Sequence, residues 1–137
     1  MKNRFAAVAG TLFLGQALMV TLSAIAAPAA TPVRAEMETL LGHLGSSGCM
    51  FNRNGDWYPA SEAREHLLMK LGHIEARGTL KSTEDFIELA ASKSSMSGKP
   101  YLVRCGDAAP VHSGTWLLAR LAHIRAASAG PRKPYPP

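Results

Sequence analysis

A run of apolar residues behind two basic ones sets how much of this chain is left to fold. Lys2 and Arg4 precede the mostly apolar stretch from Phe5 to Ile25, and Ala24-Ile25-Ala26 before Ala27-Pro28 supplies the small residues a signal peptidase needs. Residues 1–26 therefore read as a secretory signal peptide, and the mature chain is expected to begin near Ala27, in the periplasm or outside the cell. The competing reading is a retained membrane anchor, since the run approaches the roughly 20 residues that cross a bilayer. Gly10, Gly15, Gln16, Thr21 and Ser23 interrupt it, and no stop-transfer charges follow. No twin-arginine pair is present, and Cys49 lies too far along for a lipoprotein signal. After cleavage no stable membrane anchor is expected.

Without residues 1–26 the chain has 111 residues, the size of a single domain with one core. The full chain carries a formal charge of +5, and loss of Lys2 and Arg4 lowers this to +3. The remaining basic residues are scattered, with only Arg132-Lys133 adjacent, and no arginine stripe interleaves with aromatics. Nucleic acid is not an expected partner.

Two cysteines remain, Cys49 and Cys105. An oxidising compartment turns an even count into a bridge, and each cysteine lies in a short strand-like segment. The alternatives are two free buried thiols or a metal pair, but isolated cysteines without clustered partners lack zinc spacing. A Cys49–Cys105 bridge would close a loop of roughly 57 residues and contribute about 4 kcal/mol on loop-closure entropy.

Residues 27–32 read as a linker of small residues. Met37, Leu40, Leu41 and Leu44 recur at helical spacing, predicting a first helix that ends at Gly45. Cys49–Arg53 reads as a short strand closed by the turn Asn54-Gly55, both residues tolerating positive φ. Pro59 suits the first turn of a second helix, with Ser61 as an alternative cap. Ala63, Leu67, Leu71 and Ile74 form the apolar stripe of that helix, and Glu62, His66, Lys70 and His73 its flank. Ser82-Thr83-Glu84-Asp85 starts a third helix that buries Phe86, Ile87, Leu89 and Ala90. A serine-rich loop follows, and Tyr101–Cys105 reads as a second strand. Ser113 is placed as cap of a last helix, with Trp116, Leu117, Leu121 and Ile124 inward and Arg120 and Arg125 outward. Residues 129–137 are Pro-rich and read as a disordered tail, with polyproline recognition as the alternative. The expected fold over residues 33–128 is a small α+β domain: about four helices with a two-stranded antiparallel ribbon and one disulfide, in the order helix, strand, helix, helix, strand, helix.

Several motifs occur in one order: Phe51-Asn52-Arg53-Asn54-Gly55; Glu62-Ala63 with His66-Leu67; Lys70-Leu71-Gly72; Phe86-Ile87; Ala91-Ser92; and Ser94 through Tyr101. Over residues 40–121 this pattern resembles the YfeK-like family of small exported bacterial proteins. The resemblance implies a periplasmic or secreted protein, and it supplies neither catalytic residues nor a molecular activity.

Candidate chemistry gathers on Arg53, His66, Lys70, Ser94, Ser95, Ser97 and Lys99. If the strands holding the two cysteines pair, the serine loop and the Arg53 turn become neighbours. Hydroxyls, loop amides and cations could then converge on a carboxylate or phosphate. The plainer reading is a set of turn, capping and surface residues, with His66 as a boundary histidine paired to Glu62 or to a backbone carbonyl. A hydrolase using His66 and Ser95 is the alternative function, but no Gly-x-Ser-x-Gly elbow or orienting acid is recognisable. Gly98-Lys99 does not complete a phosphate-binding loop, because Lys93 replaces its first glycine and Pro100 its hydroxyl residue. Five histidines fall at no metal-binding spacing, so neither metal nor cofactor is expected. Trp57 and Tyr58 are either an exposed aromatic platform or satellite core over the turn. The expected function is a non-catalytic binding or interaction module of the cell envelope, its partner an envelope protein or a small anionic ligand.

Overall fold

The computed structural model describes residues 32–78 and 80–130. The expected signal peptide, residues 27–31 of the linker and residues 131–137 of the tail lie outside the described residues.

Helix α1 (Pro32–Gly45) starts one residue inside the expected linker. Its four spaced apolar residues, Met37, Leu40, Leu41 and Leu44, are all buried. At its end a Cβ on Gly45 would stand 2.6 Å from Cδ of Arg64, so glycine lets α1 and the next helix approach closely. The turn after it uses Gly48 at φ 68°.

Strand β1 (Met50–Arg53) runs into a two-residue turn, Asn54 at φ 56° and Gly55 at φ 103°, and returns as β2 (Asp56–Pro59). Positive φ at both central residues matches the right-handed twist of a hairpin, and the Asn52 side chain accepts a hydrogen bond from the Gly55 amide. Strand β3 (Leu102–Arg104) pairs with β1, and β4 (Val111–His112) pairs with β3. The result is a four-stranded antiparallel sheet in the order β2-β1-β3-β4, where the sequence predicted a two-stranded ribbon. Both additional strands are edges, four and two residues long. Such segments carry too few side chains for an alternating pattern. Pro59 is tolerated as the last residue of an edge strand, where its missing N–H breaks no ladder.

Helix α2 (Ala60–Glu75) follows without a gap, so Pro59 precedes the helix instead of starting it, and no side-chain cap is formed. Helix α3 (Thr83–Phe86) is capped by Ser82, whose hydroxyl accepts the Asp85 amide. It continues as a π-helical turn over Ile87–Ala91. Leu89, expected inside, is 58% exposed: the buried face is Phe86, Ile87, Ala90 and Ala91, one turn apart, and Leu89 falls beside it. The Ser92 hydroxyl donates to the Ile87 carbonyl at 2.8 Å, satisfying an acceptor at the wide turn. Helix α4 (Ser113–Ser128) has His112 in the cap position. Ser113 is not the cap: it is buried, and its amide donates to the Tyr101 carbonyl.

The core is shared by α1, the inner stripes of α2 and α4 (Leu67, Leu71, Leu117, Leu121), Phe86 and Ile87, and the inner sheet face. On that face Phe51 lies opposite both Tyr58 and Val103, and Phe51 meets Trp116 of α4 edge-on at 5.7 Å. Cys49 and Cys105 form the disulfide just beyond the β1–β3 ladder, their Cα atoms 4.3 Å apart. Arg125, expected to be a solvated residue, ties α4 to α1 and α3 through Glu36 and Glu84.

Candidate functional site

Three chain segments bring the site together. On α2, His66 and Lys70 are one turn apart and share a flank, as their spacing requires. On β1, Arg53 shares the inner face with Phe51 and lays its guanidinium over the Tyr58 ring, 4.6 Å from the centroid. The serine-rich segment is a closed loop above them. The Tyr101 amide donates to the Ser92 carbonyl, the Ser94 amide to the Lys99 carbonyl, and the Gly98 amide to the Ser94 carbonyl, each at 2.9 Å. Gly98 takes φ 70°, which a residue with a Cβ adopts only with strain. The Ser97 hydroxyl donates to the Asn54 side-chain oxygen at 2.7 Å, pinning the loop to the β1–β2 turn.

Between these segments lies an open depression of about 380 Å³. Arg53, His66, Lys70, Ser94 and Ser95 line it, so five of the seven candidate residues share one concave surface. Ser97 and Lys99 do not line it. Ser97 is committed to Asn54 and to the Ser94 hydroxyl, and Lys99 contributes backbone to the loop closure. Asn54, Met96 and Tyr101 line the depression without having been expected there. Tyr101 alternates with Val103, the pattern that would have placed it inward; it is buried and faces both cationic neighbours.

Lys70 donates to the Ala90 carbonyl at 2.6 Å, and its ammonium lies 5.2 Å from the Tyr101 ring centroid. Burial and the Arg53 charge hold its pKa below the ordinary value. Burial, then Arg53 and Lys70, push the His66 pKa below its usual 6.5. Tyr101 is shifted upward, chiefly by burial. His66 Nε2 is buried without a hydrogen-bond partner among the described residues, so its expected pairing with Glu62 or a carbonyl is not made at this atom. The ring packs edge-on against Tyr101, with centroids 6.4 Å apart. The same orphan atom means that Nε2 holds no serine hydroxyl in the contact a base–nucleophile pair needs. Among the described residues no group of His, Cys, Asp and Glu is placed to hold a metal ion.

Trp57 and Tyr58 divide between the two sheet faces. Trp57 is half-buried on the outer face with Arg104 stacked 4.5 Å from its ring centroid, and Tyr58 is half-buried on the inner one.

Residues 31–125, from before α1 to within α4, match the "Family of unknown function (DUF5329)". The chain belongs to DUF5329. Over 51 residues the chain is 47% identical to the "Uncharacterized protein YfeK" of Salmonella typhimurium strain LT2. That stretch covers 37% of this chain and 41% of the relative, so the chain spans less than half of YfeK. The YfeK-like resemblance read from the ordered motifs therefore holds. No solved structure matches this DUF5329 chain. Neither match attaches a chemistry to Arg53, His66 or Lys70, whose roles rest on their surroundings alone.

Proposed function

We propose that this DUF5329 protein is an exported, non-catalytic binding module whose depression between β1, α2 and the serine-rich loop takes a small anion. The observation that carries this reading is the charge of the lining: Arg53 and Lys70 face one depression, and no carboxylate is among its described lining residues. Burial, and then the Arg53 charge, lower the Lys70 pKa, and an anion between the two cations would offset their mutual repulsion. The exposed Ser95 hydroxyl is a donor with capacity for a carboxylate or phosphate oxygen. Export is supported by the leader-like start of the sequence and by the Cys49–Cys105 bridge, a bond that persists in oxidising compartments.

Two measurements test the reading. Inorganic phosphate and acetate, titrated separately, are expected to raise the melting temperature of the protein, because binding only the folded state stabilises it. Arg53→Ala and Lys70→Met should each remove that rise. Stabilisation that survives both substitutions would place the anion elsewhere. For export, mass spectrometry of the protein recovered from its producing cell is expected to show an N-terminus near Ala27; an intact N-terminus at Met1 would overturn that part.

A further inference from the structure

Beside the basic depression, and sharing Arg53, His66 and Tyr101 with it, lies a second and smaller pocket of about 70 Å³. Its other walls are mainly apolar: Phe51 and Tyr58 from the inner sheet face, and Ala63 and Leu67 one turn apart on α2. We infer that the ligand of this site is an amphipathic anion, a carboxylate or phosphate head between Arg53 and Lys70 carrying a short aliphatic arm that enters the pocket of Phe51, Tyr58, Ala63 and Leu67. This inference rests on the anion-site reading and specifies the ligand class.

Three features carry it. The shared residues make the two pockets neighbours, with Arg53 at the border of both. The second pocket is about half the volume of a 150 Å³ cavity that accommodates benzene, which favours an arm of three or four carbons over an aromatic ring. The polarity is also graded: Lys70, Ser94 and Ser95 line only the larger depression and Arg53 lines both, while the smaller pocket adds four apolar or aromatic walls to Asn52, the buried Ser113 and an exposed Glu62. An anion is therefore directed to one side and its arm to the other.

The test is a homologous series titrated into the full-length protein by calorimetry: acetate, propionate, butyrate and 3-methylbutyrate, with inorganic, methyl and butyl phosphate as a second arm to distinguish the two head groups. Affinity is expected to rise about fourfold for each added methylene and to level off once the pocket is full. In Ala63→Leu, which fills the pocket, this dependence on arm length should flatten. If acetate or phosphate binds but affinity does not change with arm length in the unsubstituted protein, the amphipathic assignment fails and the anion site stands. If 1-butanol binds as tightly as butyrate, the head contributes nothing and both readings fail. The unsubstituted series decides the matter even if Ala63→Leu does not fold.

Discussion

Burial makes the His66 imidazole harder to protonate, and the Arg53 guanidinium and Lys70 ammonium beside it add to this. Its folded pKa lies below the unfolded value of 6.5, so folding favours the neutral ring. The stability this contributes is present above about pH 6.5 and is lost as the pH falls through the folded pKa. Thermal unfolding followed from pH 7.5 downward should show this decline, and His66→Gln should make it shallower. NMR titration should find the His66 pKa below its ordinary value, moving upward in Arg53→Ala and on addition of phosphate. A pKa unmoved by either change would mean that Arg53 and the anion are remote from the ring. This part of the site was only half legible in the sequence. The spacing of His66 and Lys70 put them on one helical flank, but the orphaned Nε2 depends on which side chains close over it. Tyr101 does so from a segment 35 positions away in sequence.

At the scale of elements, the π-turn is held by a contact that local periodicity does not announce. The Ser92 hydroxyl bonds the Ile87 carbonyl, and a Cβ on Gly114 would lie 2.6 Å from that same hydroxyl oxygen. Gly114→Ala should therefore destabilise the protein by about 1–3 kcal/mol through overpacking, and Ser92→Ala by about 1 kcal/mol through the lost hydrogen bond. Because the obstructing atom is the hydroxyl, the double substitution should cost less than the sum of the single ones. Additive costs in denaturant unfolding would show that α4 does not rest on Ser92. Leu89 lies off the face that Phe86, Ile87, Ala90 and Ala91 bury, and stands in solvent. The Asn54-Gly55 hairpin turn, in contrast, was readable because its positive φ values are a property of those two residue types. What the turn led into was not, since Asp56–Pro59 becomes a strand only by pairing with β1.

For the whole molecule, Cys49–Cys105 joins the start of β1 to the end of β3, while Arg125 joins α4 to α1 and α3. Replacing both cysteines with serine should cost about 2–5 kcal/mol and lower the melting temperature by more than about 10 °C, with the fold retained at low temperature. A loss of only one or two degrees would show that the sheet alone constrains these ends. The Arg125 cluster is exposed, and its contribution should be small and weakened by salt. Hydrogen bonding to Arg125 lowers the pKa of Glu36 and of Glu84. Whatever stability the cluster provides is therefore present above the ordinary carboxylate range and lost as the pH falls through the folded values. Apolar spacing, turn residues and two cysteines, all local or chemical signals, were enough to determine the helices, the hairpin turn, the bridge and the α+β class. The four-stranded sheet, the tie made by Arg125 and the meeting of Arg53, Lys70 and the serine loop were decided only in tertiary structure. Each needs partners far apart along the chain, and short edge strands and exposed polar side chains acquire their positions from those partners.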